Sequence, residues 1–407
     1  MRVIVIGGSA AGLMAAATAG AKGHSVTVIE KNQRPARKIL VTGKGRCNVT
    51  NNCSVDVLMS NITQNSRFLY SAFNAFSPND TMEYFEKLGV PLKTERGNRV
   101  FPVSDKAMDI ADALVKGAKK NGVSFMVGRA ERILTKDGRV IGVKLDDDTE
   151  IAADKIILAT GGMSYPTTGS TGDGYKMAKE LGHTVISLRP SLVPICIKEG
   201  FPAKLMGLSL KNVNLSVFEK GKKKPVFSEQ GEMLFTHFGI SGPLVLSASV
   251  HIRDLDCKQY ECVLDLKPAL SIDQLDKRLC RDFSLYSNKN FRNALDELLP
   301  RAMIPIIVGM SSIPAETKVN QISKEKRLEF ASLLKNLKMT VQSLRPIEEA
   351  VVTAGGISVK EINSATMESK IVEGLYFAGE IIDVDAYTGG FNLQIAFSTG
   401  YLAGNKV

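Results

Sequence analysis

The first thirty residues place two glycines and one acid at spacings that could bind a dinucleotide. Gly7 would permit a tight turn, and Gly12 would let a following helix lie close to the preceding strand. The free N–H groups of Ala10 and Ala11, at the start of that helix, would bind a pyrophosphate, which the helix dipole also attracts. Glu30 follows Gly12 by 18 residues, where a carboxylate accepts hydrogen bonds from an adenosine ribose. The spacing predicts a dinucleotide site.

The elements around these residues have the order that such a site needs. Residues 2–6 form an apolar, β-branched run typical of a strand buried on both faces, and residues 13–22 have the composition of a helix. A second predicted strand, over residues 25–29, ends at the acid. Ser9 departs from the G-x-G-x-x-G pattern, because it stands where the second glycine is expected. Its side chain needs room beside the pyrophosphate, and its hydroxyl could hydrogen-bond a phosphate oxygen.

Similar features recur much later in the chain. The strand predicted over residues 155–159 runs into Thr160-Gly161-Gly162, and another, over residues 374–378, runs into Gly379-Glu380. Asn392 opens a closing helix. A ligand that meets a helix N-terminus from each end of the chain must be long, and FAD fits this requirement better than NAD. The alternative is a closing helix that only packs on the sheet.

The composition describes a globular α/β protein with a net charge of +10 over 407 residues. The one dense basic cluster, Lys220–Lys224, precedes Pro225 and is typical of a hairpin tip, while the remaining charge looks dispersed. The six cysteines show no C-x-x-C pair and no zinc spacing, which indicates reduced thiols and no metal site. Glycines interrupt the uncharged residues 3–21, so we reject a secretory signal there. No other apolar segment reaches the roughly 20 residues that span a bilayer, and we expect a cytoplasmic protein.

A change in pattern divides the chain. Residues 191–267 show short alternating strands without intervening helices, and residues 268–335 are mostly helical. Neither stretch contains phosphate-binding glycines. We therefore expect a discontinuous FAD-binding domain over residues 1–190 and 345–407, interrupted by an inserted domain of different architecture over residues 191–344.

Four motif blocks together resemble one known family. They are Gly43–Asn51, Ala159–Pro166, Gly169–Tyr175 and Gly379–Gln394. Their combination resembles the YhiN/BaiN-like NAD(P)/FAD-dependent oxidoreductases, also described as the aminoacetone oxidase family of FAD-binding enzymes. The resemblance implies a Rossmann-like α/β fold of the two-dinucleotide-binding-domain flavoprotein type. It also implies an inserted β-barrel-like domain that carries a helical subdomain.

The resemblance further implies bound FAD. A second glycine fingerprint is missing, so NADH or NADPH would act as a transient hydride donor. The FAD contacts that the resemblance implies, carried onto the matching positions of this sequence, are Gly7, Gly12, Glu30, Lys31, Arg37, Lys38, Gly45, Arg46, Gly161, Gly379, Glu380, Asp383, Asn392 and Leu393. Ser9 again departs from the glycine that is commoner in the group.

The resemblance implies an FAD-dependent oxidoreductase without fixing its reaction. One branch is linked to reduction of carbon–carbon double bonds conjugated to the 3-ketone of bile-acid intermediates, of the 3-oxo-Δ4 or Δ6 type. We expect such an NAD(P)H-dependent reductase. The alternatives are an amine oxidase of the aminoacetone type that uses oxygen, and an RNA-binding or RNA-modifying flavoprotein. We expect a small-molecule substrate, with neither a membrane nor a nucleic acid as partner, and the sequence does not define the oligomeric state.

Three residues are weak candidates for catalysis. Tyr165 and Arg46 could polarise a carbonyl group. His237 is the only histidine with glycine-containing loop residues close behind it. Each has a simpler interpretation: Tyr165 packs, Arg46 only neutralises phosphate, and His237 is a satisfied core residue. For His237 we favour the core interpretation.

Overall fold

The computed structural model describes all residues from Met1 to Val407. In chain order its strands are β1 (Arg2–Ile6), β2 (Ser25–Glu30), β3 (Thr50–Asn51), β4 (Leu92–Glu95), β5 (Arg99–Pro102), β6 (Ser124–Val127), β7 (Ala130–Lys136), β8 (Arg139–Leu145), β9 (Glu150–Ala152), β10 (Lys155–Leu158), β11 (Val185–Ser191), β12 (Ile195–Ile197), β13 (Ser209–Glu219), β14 (Phe227–Thr236), β15 (Gly239–Ser241), β16 (Tyr260–Asp265), β17 (Leu337–Leu344), β18 (Val352–Ile357) and β19 (Leu375–Phe377).

The helices vary from one turn to sixteen residues. They are α1 (Ala10–Ala21), α2 (Arg37–Val41), α3 (Val55–Ser60), α4 (Tyr70–Ala75), α5 (Pro78–Lys87), α6 (Ala107–Lys120), α7 (Asp173–Glu180), α8 (Phe201–Lys204), α9 (Pro243–Ser249), α10 (Ile272–Leu285), α11 (Ile304–Met310), α12 (Lys324–Lys335) and α13 (Phe391–Lys406). None of them combines the length and the apolar character needed to cross a membrane.

The chain forms two compact units. The first combines Met1–Ser191 with Pro346–Val407, and the second is the continuous stretch Leu192–Arg345. The first unit contains every strand of the parallel sheet, whereas the second is built from a barrel and short helices.

The core of the first unit is a five-stranded parallel sheet in the order β19-β10-β1-β2-β6. On β1, Val5 lies between Ile157 on β10 and Val28 on β2, and all three side chains are fully buried. Because the strands are parallel, their carboxyl ends meet at one edge, where strand-to-helix loops bind ligands in such folds. The sheet confirms the predicted Rossmann-like fold. Three small antiparallel sheets, β3-β5-β4, β7-β8-β9 and β11-β18, complete this unit.

The closing helix α13 packs directly on the backbone of α1. A Cβ on Gly400 would lie 2.3 Å from the Ala11 carbonyl oxygen, and a Cβ on Gly404 would lie 2.3 Å from that of Ala15. The two helices are parallel, since these contacts advance together along both. Gly400 stands nine residues after the start of α13, and Ala11 one residue after the start of α1. At 1.5 Å per residue, the N-terminus of α13 projects about 12 Å beyond that of α1.

The second unit is a closed six-stranded barrel in the order β12-β15-β14-β13-β16-β17. Leu215 on β13, Leu264 on β16 and Met339 on β17 are fully buried in its core. Helices α10 to α12 lie between β16 and β17 in the chain, and they share that core through residues such as Leu279 and Phe330. The sequence pattern does not predict β17, the strand that closes the barrel. The barrel with its helices confirms the inserted part of the predicted fold class.

Replacing Gly400 by alanine should destabilise the protein, because the new Cβ fits against the Ala11 carbonyl only if a helix moves. We expect the free energy of unfolding to fall by about 1–3 kcal/mol, measured by urea denaturation followed by circular dichroism. Gly309→Ala in α11 is the control, since nothing lies within 4 Å of its Cβ position and alanine favours a helix over glycine. Equal stability of the two variants would contradict the close packing of α13 on α1.

Candidate functional site

The turn between β1 and α1 has no room for a side chain at Gly7, and the first turn of the helix has none at Gly12. Gly7 has a φ of 103°, and its Cβ would lie 2.6 Å from the Ala159 carbonyl oxygen. A Cβ on Gly12 would lie 2.0 Å from the Gly7 carbonyl oxygen. The turn therefore brings the first amides of α1, those of Ala10 and Ala11, to the carboxyl edge of the sheet. The first amides of a helix have no acceptor within it, so these two can bind anionic oxygens.

Ser9 caps α1 instead of turning toward a ligand. Its Oγ accepts a hydrogen bond from the Gly12 N–H at 3.1 Å and donates one to the Ala159 carbonyl oxygen at 2.8 Å. The hydroxyl hydrogen is therefore used inside the protein, which corrects the expectation that it could donate to a phosphate. Serine is among the most favourable N-cap residues, and this explains why the turn accepts it in place of glycine.

Glu30 is fixed beside the glycine turn. Its Oε2 accepts a hydrogen bond from the Gly8 N–H at 2.8 Å, and its Oε1 accepts from the backbone N–H and the side-chain Nδ2 of Asn32, at 2.8 and 2.7 Å. The two oxygens of a carboxylate offer about four acceptor positions, so the half-buried group keeps capacity for a further donor. This is the position at which an adenosine ribose lies in such a unit.

The cations Lys31 and Arg37 hold neighbouring segments in place. Lys31 Nζ lies 2.7 Å from a carboxylate oxygen of Asp173, and the guanidinium of Arg129 lies 2.9 Å from the other oxygen. Arg37 donates to the side-chain oxygen of Asn32 at 2.9 Å. Burial alone would raise the pKa of Asp173, but the hydrogen bonds from Lys31 and Arg129 outweigh it and hold that pKa below its usual value. The carboxylate stays ionised and anchors the start of α7.

Lys38 and Glu380 form the centre of a half-buried polar network. Lys38 Nζ lies 2.6 Å from Glu380 Oε2 and donates to Ser164 Oγ at 2.6 Å. Glu380 Oε1 accepts from Ser164 Oγ at 3.0 Å and from the Thr353 N–H at 2.8 Å. Ser164 and Thr353 were not among the predicted contacts. The signal available for Thr353 was the glycine pair 355–356, which follows it closely and has positive φ values.

Arg46 forms ion pairs with two carboxylates of the protein itself. Its guanidinium lies 2.5 Å from Glu95 and 2.6 Å from Asp105, and it stacks 4.2 Å above the ring centre of Phe101. Hydrogen bonds to the two carboxylates raise the pKa of Arg46. The preceding Gly45 has a φ of 84°, so the loop turns sharply there. This arrangement does not support the suggested role of Arg46 in polarising a carbonyl.

The residues around the N-terminus of α13 leave its first amides without acceptors in the protein. Gly390 has a φ of 97°, and a Cβ there would lie 2.4 Å from the Thr50 carbonyl oxygen. Asn392 Nδ2 donates to the Ala386 carbonyl oxygen at 2.8 Å, and Asn392 Oδ1 accepts from the Ala386 N–H at 3.0 Å. The side chain of Asn392 thus fixes the preceding loop, and the first amides of the helix, up to that of Leu393, lack acceptors within it. The helix begins one residue before its predicted start.

Three further predicted contacts lie in the loops that follow β10 and β19. Gly161 has a φ of 74°. A Cβ on Gly379 would lie 2.7 Å from the Cβ of Ala11, so this loop touches α1. Asp383 accepts a hydrogen bond from the side chain of Gln64 at 2.7 Å, and it is buried. The loop after β19 therefore lies against the first turn of α1.

Of the three catalytic candidates, Arg46 and Tyr165 belong to the first unit and His237 to the second. Tyr165 is half-buried in a left-handed conformation, with a φ of 52°, and its N–H donates to the Glu348 carbonyl oxygen at 3.2 Å. His237 belongs to the second unit and is exposed at the turn between β14 and β15. The favoured interpretation of His237 as a core residue is therefore wrong.

The residues of the first unit fit FAD. Its parallel helix N-termini, offset by about 12 Å, match a pyrophosphate and a flavin ring that are joined by an extended ribityl chain. Two buried side-chain oxygens, Thr160 Oγ1 and Asn48 Oδ1, have no hydrogen-bond partner within the protein. Such orphans are uncommon in folded proteins, and both lie in segments predicted to contact the cofactor. The unmet hydrogen-bonding capacity of both oxygens supports a polar ligand beside these segments.

Replacing Glu30 by glutamine should weaken FAD binding, because the amide loses the charge and has only one acceptor oxygen. Charge-assisted hydrogen bonds contribute about 1.5–3 kcal/mol each, so Kd should rise about 10- to 150-fold. The measurement is a titration of apoprotein with FAD, followed by flavin fluorescence. Glu83→Gln on α5 is the control, since Glu83 forms only a surface pair with Lys87 and a bond with Asn79. Unchanged affinity in Glu30→Gln would place the ribose elsewhere.

Comparison with known proteins places the chain among proteins of nearly the same length. The family described as HI0933-like protein Rossmann domain matches residues 1–406. The 3-dehydro-bile acid delta(4,6)-reductase of Clostridium scindens is 31% identical over 99% of this chain and 98% of its own length. The ribosomal RNA dihydrouridine synthase of Escherichia coli is 30% identical over 98% of this chain and 96% of its own length.

A solved structure supports the same fold. The 3-ketosteroid delta1-dehydrogenase of Sterolibacterium denitrificans has a TM-score of 0.53 to this protein over 99% of this chain and 98% of that chain, at 13% identity. The resemblance drawn from the four motif blocks is confirmed, because the family match and the relatives all extend over nearly the whole chain. The chain belongs to the HI0933-like family of Rossmann-type flavoproteins.

Proposed function

We propose that this protein is an FAD-dependent reductase that uses NADH or NADPH to saturate a carbon–carbon double bond conjugated to a carbonyl group. The observation that carries the proposal is the offset pair of parallel helix N-termini, at α1 and α13, in a chain related over its full length to proteins named for such reductions. The leading substrate class is a ketone of the 3-oxo-Δ4 or Δ6 steroid type.

The two relatives are named for reactions on the same kind of bond, a carbon–carbon double bond conjugated to a carbonyl group. A 3-dehydro bile acid with Δ4,6 unsaturation has double bonds conjugated to its 3-oxo group. A uracil ring has its C5=C6 bond conjugated to the C4 carbonyl, and reduction of that bond gives dihydrouridine. For a Δ4 bond or the uracil C5=C6 bond, a hydride adds to the β-carbon and a proton to the α-carbon. For a conjugated Δ6 bond, the hydride adds to the δ-carbon and the proton to the γ-carbon. In each case negative charge develops on the carbonyl oxygen. A site for either reaction needs a hydrogen-bond donor at that oxygen.

The residues of the first unit have distinct roles in this proposal. FAD, when bound, supplies the hydride. The amides of Ala10 and Ala11 hold the pyrophosphate, and Glu30 orients the adenosine ribose. The N-terminus of α13 lies about 12 Å further along, and the positive end of its dipole stabilises negative charge near it. The Lys38–Glu380 pair joins the segments on either side without adding net charge.

A second candidate substrate is a uridine in RNA, favoured by the distribution of charge. The unit Leu192–Arg345 contains 23 Lys and Arg residues against 16 Asp and Glu, which gives it +7 of the net +10. The cofactor unit, although longer, has only +3. Phosphate backbones attract such a surface. Two relatives, from Escherichia coli and Haemophilus influenzae, are named ribosomal RNA dihydrouridine synthase.

Rapid kinetics of the two half-reactions test the proposed reaction. Without oxygen, NADH or NADPH should bleach the flavin, and a conjugated ketone should restore its colour faster than air does. The ketone and a uridine-containing oligoribonucleotide are compared as oxidants in separate mixing experiments, because only the true substrate should reoxidise the flavin rapidly. Protein stripped of FAD is the control and should not consume the donor.

The opposite pattern would refute the reductase. An oxidase would ignore the nicotinamide, would be reduced by an amine such as aminoacetone, and would form peroxide rapidly in air. Fast reduction of the flavin by the amine, followed by its fast reoxidation by oxygen, therefore contradicts the proposal, whichever conjugated substrate is offered.

A further inference from the structure

A groove in the barrel unit has no role in the site described above. It encloses about 320 Å³, within the size range of small-ligand pockets, and lies where β12 ends beside the turn between β14 and β15. Lys198, His237, Phe238, Gln342 and Ser343 contribute to its lining. All of these except the half-buried Phe238 are exposed.

Two aromatic rings on a rigid turn form one side of the groove. The rings of His237 and Phe238 meet edge to face, with centroids 4.9 Å apart and an interplanar angle of 77°. The guanidinium of Arg345 lies 4.7 Å above the Phe238 ring. A Cβ on the following Gly239 would lie 2.3 Å from the Ile195 carbonyl oxygen, so the turn is pressed against β12. The backbone that carries both rings is therefore fixed against β12, and the Phe238 ring packs against Arg345.

The groove lining carries one exposed cation and one hydrogen-bonded carboxylate. Lys198 is exposed at its rim. The one carboxylate in the lining, that of Glu199, accepts hydrogen bonds from the Thr340 N–H at 2.8 Å and from Thr340 Oγ1 at 2.7 Å. These bonds orient the Glu199 carboxylate toward Thr340 without removing its charge, and Lys198 is the exposed cation that an incoming phosphate meets at the rim.

We infer that this groove binds one nucleotide of a single-stranded RNA, with its base against His237 and Phe238 and its phosphate beside Lys198. Aromatic rings that stack bases beside cations that follow the backbone are the common means of holding single strands. The second basic feature, the Lys220–Lys224 loop, joins β13 to β14 and lies a strand length, about 30 Å, from the turn at His237. A polymer reaches both features, whereas a dinucleotide does not.

The inference deepens the second candidate substrate, since a uridine within RNA must be presented by a strand that the protein holds. It is tested by binding alone, without a hydride donor. FAD-loaded full-length protein is titrated into a fluorescein-labelled single-stranded oligouridylate of about 20 nucleotides, long enough for one complete site, and the anisotropy is recorded at several salt concentrations.

Phe238→Ala should weaken binding about 5- to 150-fold, the range found when a stacked aromatic is removed. Lys198→Gln should weaken it several-fold and lower the slope of log K against log salt by about 1. Lys116→Gln on α6 removes the same charge from an exposed position of the cofactor unit and should leave affinity within twofold. Each variant is first checked for FAD content and thermal midpoint. If the Phe238→Ala variant does not fold, the Lys198→Gln variant decides the test, because Lys198 is exposed and its replacement should not disturb the fold.

Equal affinity of wild-type protein, Phe238→Ala and Lys198→Gln for the oligouridylate would overturn the inference, as would no binding at all. A competition experiment offers NADPH and the oligonucleotide to protein with a base analogue bound in the groove. If NADPH displaces the analogue and the oligonucleotide does not, the groove serves the hydride donor and the inference is overturned. Reduction of a small conjugated ketone is assayed separately. Its failure would count against the proposed reaction and would leave the RNA result standing.

Discussion

Gly400 and Gly404 let the backbone of α13 touch the backbone of α1 with no side chain between them. The position of one helix therefore determines the position of the other, and with it the separation of their N-termini. Gly379 and Gly390 extend the same constraint, because a Cβ at either position would meet Ala11 or the Thr50 backbone. A long cofactor needs its two ends held at a fixed distance, and this packing supplies that distance without a hinge.

The same contact explains why the chain must return after its insertion. The sheet edge strand β19 pairs with β10, and α13 then completes the site that α1 began. Residues 192–345 fold around their own barrel core in the meantime, so their surface can specialise. The result is a segregation of charge: the cofactor unit is nearly balanced, and the inserted unit carries most of the positive charge.

Local patterns made much of this predictable. The β1–α1–β2 order, the glycines at 7 and 12 and the acid at 30 follow from spacing alone, and the motif blocks identified the family. What escaped prediction depends on distant partners. Ser9 looked available to a phosphate, but its hydroxyl donates a hydrogen bond to the carbonyl oxygen of Ala159, 150 residues away. Arg46 looked available to a ligand until Glu95 and Asp105 were seen beside it.

Two other differences have the same physical origin. His237 is exposed at the turn between β14 and β15, and that turn is set by strand pairing within the barrel, of β15 with β12 and of β14 with β13. The net charge looked dispersed along the sequence, but it separates once the boundaries of the two units are known. The spacing of residues within one segment can be read from the sequence. Whether a side chain already bonds to a residue far away in the chain can be seen only in the folded structure.

The most direct test of this account is a crystal structure of the protein with FAD bound. The account predicts that the pyrophosphate oxygens accept hydrogen bonds from the amides of Ala10 and Ala11. It also predicts that the pyrimidine edge of the flavin lies at the first amides of α13. A flavin ring remote from α13, or an adenosine ribose that does not contact Glu30, would contradict the claim that the two helix N-termini share one cofactor.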